Sequence, residues 1–536
     1  MELTRDDPGR SFRRSVYWLL AIAALSSAAG RIMAVRATTG ETPMLSANDR
    51  SRWCTIAALV NHGTYEIDAL VALRDAQTKR RHWHSIDMVR HRGYDGREHY
   101  YSSKPTLLPT LLAGQYWLIQ KTLGLDIVKN PFYVMRLMLV LTNGFLLGLL
   151  FLSLASMLER YGKTDWGRIG VFAVATWGTF LTTVAVTLNN HLPAAVSVLL
   201  AVWLACGIKR ASSPGYWSFL ACGMVAGFAV ANELPALAFL VLLAAWLYRL
   251  SARYMVSGFV PGVLLVSLAF FGTNYLAHGS WKPAYAHRHD GPLLTQINQE
   301  AARVVDRNEG AELEIDYEVL NRALEKDSVV IDRSAIVVAT GIANRWNLWD
   351  RRSQTRLALV QDGGQVRVHE WGNWYEYAGS YWNNPQGIDQ GEPSRFAYLC
   401  NTLVGHHGVF SLTPVWLLAV WGSVCCWRVP GHDLRPVAVS AFLLTVVCVG
   451  FYVARPLNDR NYGGVCCGFR WLFWLIPIWT LCLLPALDRV ASSGWLRRVT
   501  WLALAVSVFS ATYASMNPWS HPWIYQLWVF LGWLPV

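Results

Sequence analysis

The sequence predicts an all-α integral-membrane protein: a multi-span helical bundle with interfacial helices in its first external loop and a mixed extramembrane segment. Three observations lead there. Of 536 residues, 53% are hydrophobic and only 15% charged, against about 25% charged in a soluble domain. Mean hydropathy is positive, at +0.26. Apolar runs long enough to cross a bilayer recur along the chain, the pattern of a multi-spanning protein. This composition excludes a soluble enzyme, a disordered chain, a collagen and a disulfide-rich secreted scaffold.

The net charge of +12 invites a nucleic-acid partner, but its placement argues for topology instead. Arg5, Arg10, Arg13 and Arg14 precede an apolar run at 16–29 with no small-residue cleavage site after it, so this run is expected to stay as a first span with its N-terminus in the cytoplasm. Further spans are expected at 131–158, 168–187, 192–208, 216–232, 233–250 and 256–277. After a polar stretch, 278–405, come 408–427, 437–455, 469–487, 499–516 and a last short run at 520–535. That makes about eleven to thirteen spans by the length criterion.

The run 107–124 decides the parity. Counted as a span, it puts the later basic loops outside; omitted, it puts Arg160, Lys163, Arg168, Lys209, Arg210, Arg249, Arg253, Arg428, Arg435, Arg489, Arg497 and Arg498 all inside. The positive-inside rule favours omission, and Gln115, Gln120 and Lys121 suit a helix lying in the outer interface. Two large segments then face away from the cytoplasm, 32–130 and 278–405. The chain divides into a membrane module at 1–277, a loop or small domain at 278–405 and further spans at 406–536. The expected setting is a bacterial inner membrane.

Two motifs in the first external loop carry chemistry. Asn48, Asp49, Arg50, Ser51, Arg52 and Trp53 run into a helical pattern, where an Asp is ordinarily a helix cap. Tyr101, Ser102, Ser103, Lys104, Pro105 and Thr106 open the interfacial helix, where a Lys is ordinarily an anchor and a Pro suits the first turn. Taken together, an Asp–x–x–Arg–aromatic block and a Tyr–x–x–Lys–Pro–x–Leu block about fifty residues later resemble the GT-C glycosyltransferases. The likeness is greatest to the aminoarabinose transferase and protein O-mannosyltransferase branch. Arg136 matches a further family position. Arg50, Ser103, Asn189-Asn190-His191 and Asn232-Glu233 depart from the family pattern.

The resemblance implies an inverting transfer of a sugar from a polyprenyl-phosphate donor to an acceptor hydroxyl on a glycan, lipid or protein. Such a reaction needs a base for the acceptor proton and fixed positive charge for the departing phosphate. Asp49 is the candidate base. Lys104, Arg52, Arg470 and His191 are candidate phosphate-binding residues, with interfacial anchoring as the plain alternative for Arg470. Trp53, Tyr101, Asn190, Glu233, His406 and His407 are expected to line the pocket. The His406-His407 pair lacks the i, i+4 spacing of a helical metal site, so no metal ligands are assigned, and a divalent cation remains compatible with a phosphate substrate. A transporter or flippase of a lipid-linked glycan, and a noncatalytic relative, are the alternatives; polar residues gather near span ends rather than mid-span, which favours the enzyme.

Two features stay open. The stretch 306–332 alternates acidic and apolar residues like a surface helix. The later Trp371, Trp374, Tyr375, Tyr377, Tyr381 and Trp382 suit either sugar stacking or a membrane belt. Of the ten cysteines, Cys54, Cys400, Cys466 and Cys467 face the oxidising side in this topology, compatible with one disulfide.

Overall fold

The computed structural model describes residues 8–534 except 39, 299–301, 308–309, 341 and 343. Helix α1 (Pro8–Ala34) leads to α2 (Ala47–His62), the single turn α3 (Asp68–Val71), the hairpin β1 (Met88–Arg92) and β2 (Glu98–Ser102), and α4 (Leu107–Leu123). Then come α5 (Pro131–Tyr161), α6 (Asp165–Trp177), α7 (Phe180–Val184), α8 (His191–Arg210), α9 (Tyr216–Asn232), α10 (Leu237–Leu250), α11 (Ala252–Tyr254) and α12 (Val260–His278). Among the described residues, six helical stretches are long and apolar enough to cross a membrane, beginning at Gly9, Pro131, His191, Ala252, Arg435 and Arg470.

The helices pack through small residues and a few buried charges. A Cβ on Gly223 or Gly262 would strike the backbone of Phe259 or Leu220, so glycine at these positions lets α9 and α12 approach closely. At the N-terminal half of α1, Arg13 pairs with Glu159 of α5 and Asp165 of α6, each at 2.7 Å. Tyr17 donates to Glu159 as well.

The apolar run 168–187, expected as one span, breaks. Helix α6 stops at Trp177, α7 is five residues long, and the chain then runs irregularly to α8. Five threonines and one asparagine interrupt the apolar pattern from 176 to 189. Side-chain amides take up carbonyls that the missing helix would have satisfied. Asn143 Nδ2 donates to Ala185 O at 2.7 Å, and Asn189 Nδ2 donates to Val184 O at 2.7 Å and Thr187 O at 2.9 Å. Irregular backbone is tolerated at such depth only when buried and satisfied within the protein.

The polar stretch 278–405 builds sheets. Strands β3 (Leu293–Asn298), β4 (Ala302–Arg307) and β5 (Gly310–Ile315) precede α13 (Tyr317–Leu324), then β6 (Ile336–Ala339), β7 (Arg345–Trp349), β8 (Arg356–Asp362) and β9 (Gln365–Glu370). Five strands pair antiparallel in the order β3-β9-β8-β7-β6, and β4-β5 form a separate hairpin. The 306–332 stretch is thus a strand hairpin followed by a short helix, not one surface helix. Its alternation of acidic and apolar residues carries the period of a strand.

The C-terminal part adds α14 (Arg395–Leu403), α15 (Val409–Leu412), α16 (Val415–Arg428), α17 (Arg435–Ala454), α18 (Ile476–Val490), α19 (Gly494–Tyr513) and α20 (Trp523–Phe530). At eight residues α20 is about 12 Å long, too short for the span expected at 520–535; Pro518, Pro522 and Gly532 bracket it. All ten cysteines are free, so the expected option of a disulfide is not taken up. Helix α4 presents Leu111, Trp117 and Leu118 outward. Its other face packs on α2, where Tyr116 and Gln120 each donate to Asn61 Oδ1 at 3.0 Å.

Candidate functional site

Asp49 lies in the first turn of α2 and is 1% exposed. Ser46 is the N-cap, and Asp49 completes a capping box with it, the motif that satisfies the free N–H groups of a helix start. Asp49 Oδ1 accepts from Ser46 N at 2.9 Å and from Ser46 Oγ at 3.1 Å. Oδ2 accepts from Leu45 N at 3.0 Å and from Thr187 Oγ1 at 2.7 Å. Four donors fill the lone-pair positions of the carboxylate. Three belong to the local turn, and the fourth, Thr187, arrives from the broken segment before α8. Burial pushes the Asp49 carboxyl above the usual carboxylate range, and these hydrogen bonds offset part of that push.

One turn further on, Arg52 is 2% exposed. Its Nη1 donates to Asn48 O at 3.0 Å and to the Asn48 side chain, and its Nη2 donates to Asn190 Oδ1 at 2.7 Å. None of these partners is charged. Burial lowers the guanidinium to about 10; Asp87, Glu233 and Asp49 pull it up while Arg470 pushes it down.

Lys104 comes to the same place from the end of the β1–β2 hairpin. The register pairs Met88 with Ser102, and Ser103 N donates to Asp87 O, which sets Asp87 beside Lys104. Their ion pair is 3.0 Å. Burial lowers the Lys104 ammonium to about 8, partly opposed by Asp87 and reinforced by the neighbouring Arg52 and Arg470.

Arg470 arrives from a third region, just before α18, with its guanidinium over the rings of Trp471 and Trp519 at 4.9 and 5.0 Å. Its Nε is buried and, among the described residues, has no hydrogen-bond partner. Among the described residues no carboxylate lies within ion-pairing distance of it. A Cβ on Gly463 would collide with this side chain, so the Gly463-Gly464 turn makes the room that Arg470 occupies.

Behind the cations is a polar layer. Asn190 Nδ2 donates to Glu233 Oε1 at 2.7 Å and to Asn232 O at 2.9 Å. His191 Nδ1 lies against the Glu233 carboxylate, both side chains almost wholly buried. Asn190 and Glu233 thus hold the Arg52 side of the site, and His191 contacts Glu233, Phe473 and Trp519.

The segment 278–405 covers the hairpin. Trp382 Nε1 donates to Ile86 O at 2.9 Å, next to Asp87. Arg288 sits over both Tyr375 and Trp382. Asp389 accepts from Tyr381 OH at 2.9 Å, and burial raises its carboxyl despite the opposing pull of Arg470. The aromatics therefore divide. Trp374 and Tyr375 are buried against Val89 and Tyr101, as packing between the two segments rather than as an exposed sugar platform or a membrane belt.

The remaining expected residues are engaged with other groups. Trp53 is fully buried in an apolar core. Tyr101 stacks on His91 at 4.2 Å and points its hydroxyl at Glu66. Arg136 donates to Val35 O at 2.6 Å. His406 and His407 form a separate group with Tyr462, His521, Tyr525 and Trp528, where burial lowers His406 to about 4. Among the described residues no set of three or more His, Cys, Asp or Glu side chains is arranged to hold a metal ion.

Sequence reasoning missed Asp87 and Thr187. A signal for Asp87 was present: Asp95-Gly96 between two β-prone runs marks a hairpin, and folding it back puts 87 opposite 103. Thr187 carries no such signal, because it reaches Asp49 only through the break in an apolar run.

No family model matches the chain, and none of the curated proteins compared with it matches either. Among solved structures, it is similar to the Saccharomyces cerevisiae protein O-mannosyltransferase Pmt1–Pmt2 complex bound to the sugar donor. The likeness spans 97% of this chain and 92% of that one, at a TM-score of 0.41 and 13% identity. Likeness at that level assigns no activity.

Proposed function

We propose that the chain is an integral-membrane glycosyltransferase of the GT-C kind. It moves a sugar from a polyprenyl-phosphate donor to an acceptor hydroxyl at the non-cytoplasmic face, with inversion. The observation that carries this reading is the gathering of Arg52, Lys104 and Arg470 from three separate stretches of chain. Among the described residues, Lys104 alone of the three has a carboxylate partner in ion-pairing contact, at Asp87. Cations drawn away from water are costly unless compensated; the donor phosphodiester supplies one negative charge, and a second develops on it as the sugar leaves.

In this reading the acceptor hydroxyl takes the place of Thr187 on Asp49 Oδ2. Its proton passes to the carboxylate as its oxygen bonds to the anomeric carbon from the face opposite the phosphate. The anomeric C–O bond breaks, the electron pair stays on the phosphate oxygen, and the polyprenyl phosphate leaves against the three cations. The raised basicity of a desolvated Asp49 suits the first step, and preorganised positive charge suits the last. Residues 1–277 and 406–536 supply the membrane parts of this site, and 278–405 covers it.

A second reading is favoured by one observation, the complete hydrogen-bonding of Asp49. A noncatalytic protein that binds a lipid phosphate would keep the cations and need Asp49 only as a cap. Vesicles containing purified protein and a panel of labelled polyprenyl-phosphate sugars separate the two. The enzyme reading expects label in a new product, and a raised donor KM for Arg470→Met. Binding of polyprenyl phosphate without transfer from any donor would overturn it and leave the second reading.

A further inference from the structure

A cavity of about 310 Å³ lies between the C-terminal half of α1 and the middle of α5. Its walls include Ser26 and Ala29 of α1, Val140, Asn143 and Gly144 of α5, and Ala185. Small side chains create the space, and a Cβ on Gly144 meets nothing within 4 Å. Ser26 is exposed, and Ala29, Val140 and Gly144 are half-buried. The cavity therefore opens sideways between two of the helices that are long and apolar enough to span, where the surroundings are hydrocarbon. Its volume sits at the low end of the ~300–1,000 Å³ typical of small-molecule sites, room for one chain segment rather than a whole lipid.

The inner end of this groove is polar and joined to Asp49. Asn143 Nδ2 donates to Ala185 O at 2.7 Å and to Thr187 O at 3.3 Å, and Thr187 Oγ1 donates to Asp49 Oδ2 at 2.7 Å. One hydrogen-bonded unit thus forms both the groove wall and the fourth contact of the carboxylate. None of the three cations borders the cavity.

We propose that this groove seats a hydrocarbon chain of the acceptor, so that the acceptor is a membrane lipid whose hydroxyl-bearing head is carried to Asp49. The proposal rests on the reading of Asp49 as the base. A donor chain is tied through its phosphate to Arg52, Lys104 and Arg470. A chain entering between α1 and α5 reaches Thr187 and Asp49 first. The bond changes are those of the transfer above, with the lipid hydroxyl oxygen forming the new glycosidic bond and its proton going to Asp49 Oδ2.

The test is photolabelling of the full chain in phosphatidylcholine vesicles with a diacylglycerol bearing a diazirine in one acyl chain. Label is expected on peptides containing Ser26 and Gly144. It should fall by about tenfold, the equivalent of about 1.4 kcal/mol, in Gly144→Leu, a change that fills open space. Excess polyprenyl phosphate should leave it unchanged. Undiminished label in Gly144→Leu would overturn the groove. Competition by polyprenyl phosphate would assign it to the donor chain, and equal labelling by a phosphatidylcholine analogue with no free hydroxyl would reduce it to ordinary lipid contact; either overturns the proposal. The readout needs no turnover, so full transfer by Asp49→Asn would overturn the base while the labelling separately decides the groove.

Discussion

Two buried polar clusters invite comparison: the group of Asp49, Arg52, Lys104 and Arg470, and the group of His406, His407 and His521. Both draw residues from distant parts of the chain, and both contain atoms without hydrogen-bond partners, Arg470 Nε in one and His407 Nε2 and His521 Nδ1 in the other. They differ in how burial is tolerated. The histidines shed charge: desolvation holds His406 at about 4 and His407 well below its ordinary value, and aromatic rings pack around them. The arginines cannot shed theirs, and only part of it is balanced. A neutralised cluster has the marks of packing, and an unbalanced one has the marks of a site for an anion.

The largest expected effect falls on the charged cluster. Removing the Lys104 or Arg470 charge, as Lys104→Met or Arg470→Met, should weaken binding of a polyprenyl phosphate by roughly 10–100-fold, from about 1.5–3 kcal/mol per charged hydrogen bond. Titration of the purified protein with the phosphate lipid checks this. Equal affinity in both variants would erase the contrast between the clusters.

A pH series sharpens it. Lys104 carries its charge below about 8 and loses it above, so phosphate binding should weaken as pH rises through that value. Bound phosphate stabilises the ammonium and moves the fall upward. Lys104→Arg, which stays charged, should flatten the profile. Asp49 has the opposite sign: its carboxyl is raised, so transfer should fall on the acid side as the base becomes protonated, with phosphate binding intact there.

The neutral cluster should respond weakly. His406→Phe keeps an aromatic ring among Tyr462, Tyr525 and Trp528 but removes the contact of its Nδ1 with His407 Nδ1, and should cost about 1–3 kcal/mol of stability with transfer unchanged. A loss of transfer without loss of fold would move this cluster into the site. Smaller still, Trp382→Phe removes one hydrogen bond to Ile86 and should cost about 1 kcal/mol, read by thermal unfolding.

The same contrast explains what was legible in the sequence. Long apolar periodicity marked α1, α5, α8 and α17, because burial in hydrocarbon imposes it. The Asp49–Arg52 and Lys104 blocks were legible as motifs because each is local. What joins them was not. The β1–β2 pairing that brings Asp87 to Lys104 spans a hairpin, and Thr187 meets Asp49 only because 168–187 breaks at Gly178. A hydropathy average hides that break, since threonine and glycine dilute an apolar run without reversing it. The sheet of 293–370 was hidden for another reason: only β9 alternates cleanly between buried and exposed positions, while β7 and β8 are buried along most of their length.

Asp49 itself is where the account is most exposed. It is a capping-box residue by geometry and a base by proposal, and the two roles separate in one variant. Asp49→Asn keeps the shape and an acceptor oxygen for the cap but cannot take a proton. Transfer from a labelled polyprenyl-phosphate sugar and binding of polyprenyl phosphate should be measured on the same preparation. The account predicts intact binding with transfer reduced by about 10²–10⁴-fold, the usual worth of a general base. Intact binding with transfer at the wild-type rate would contradict it.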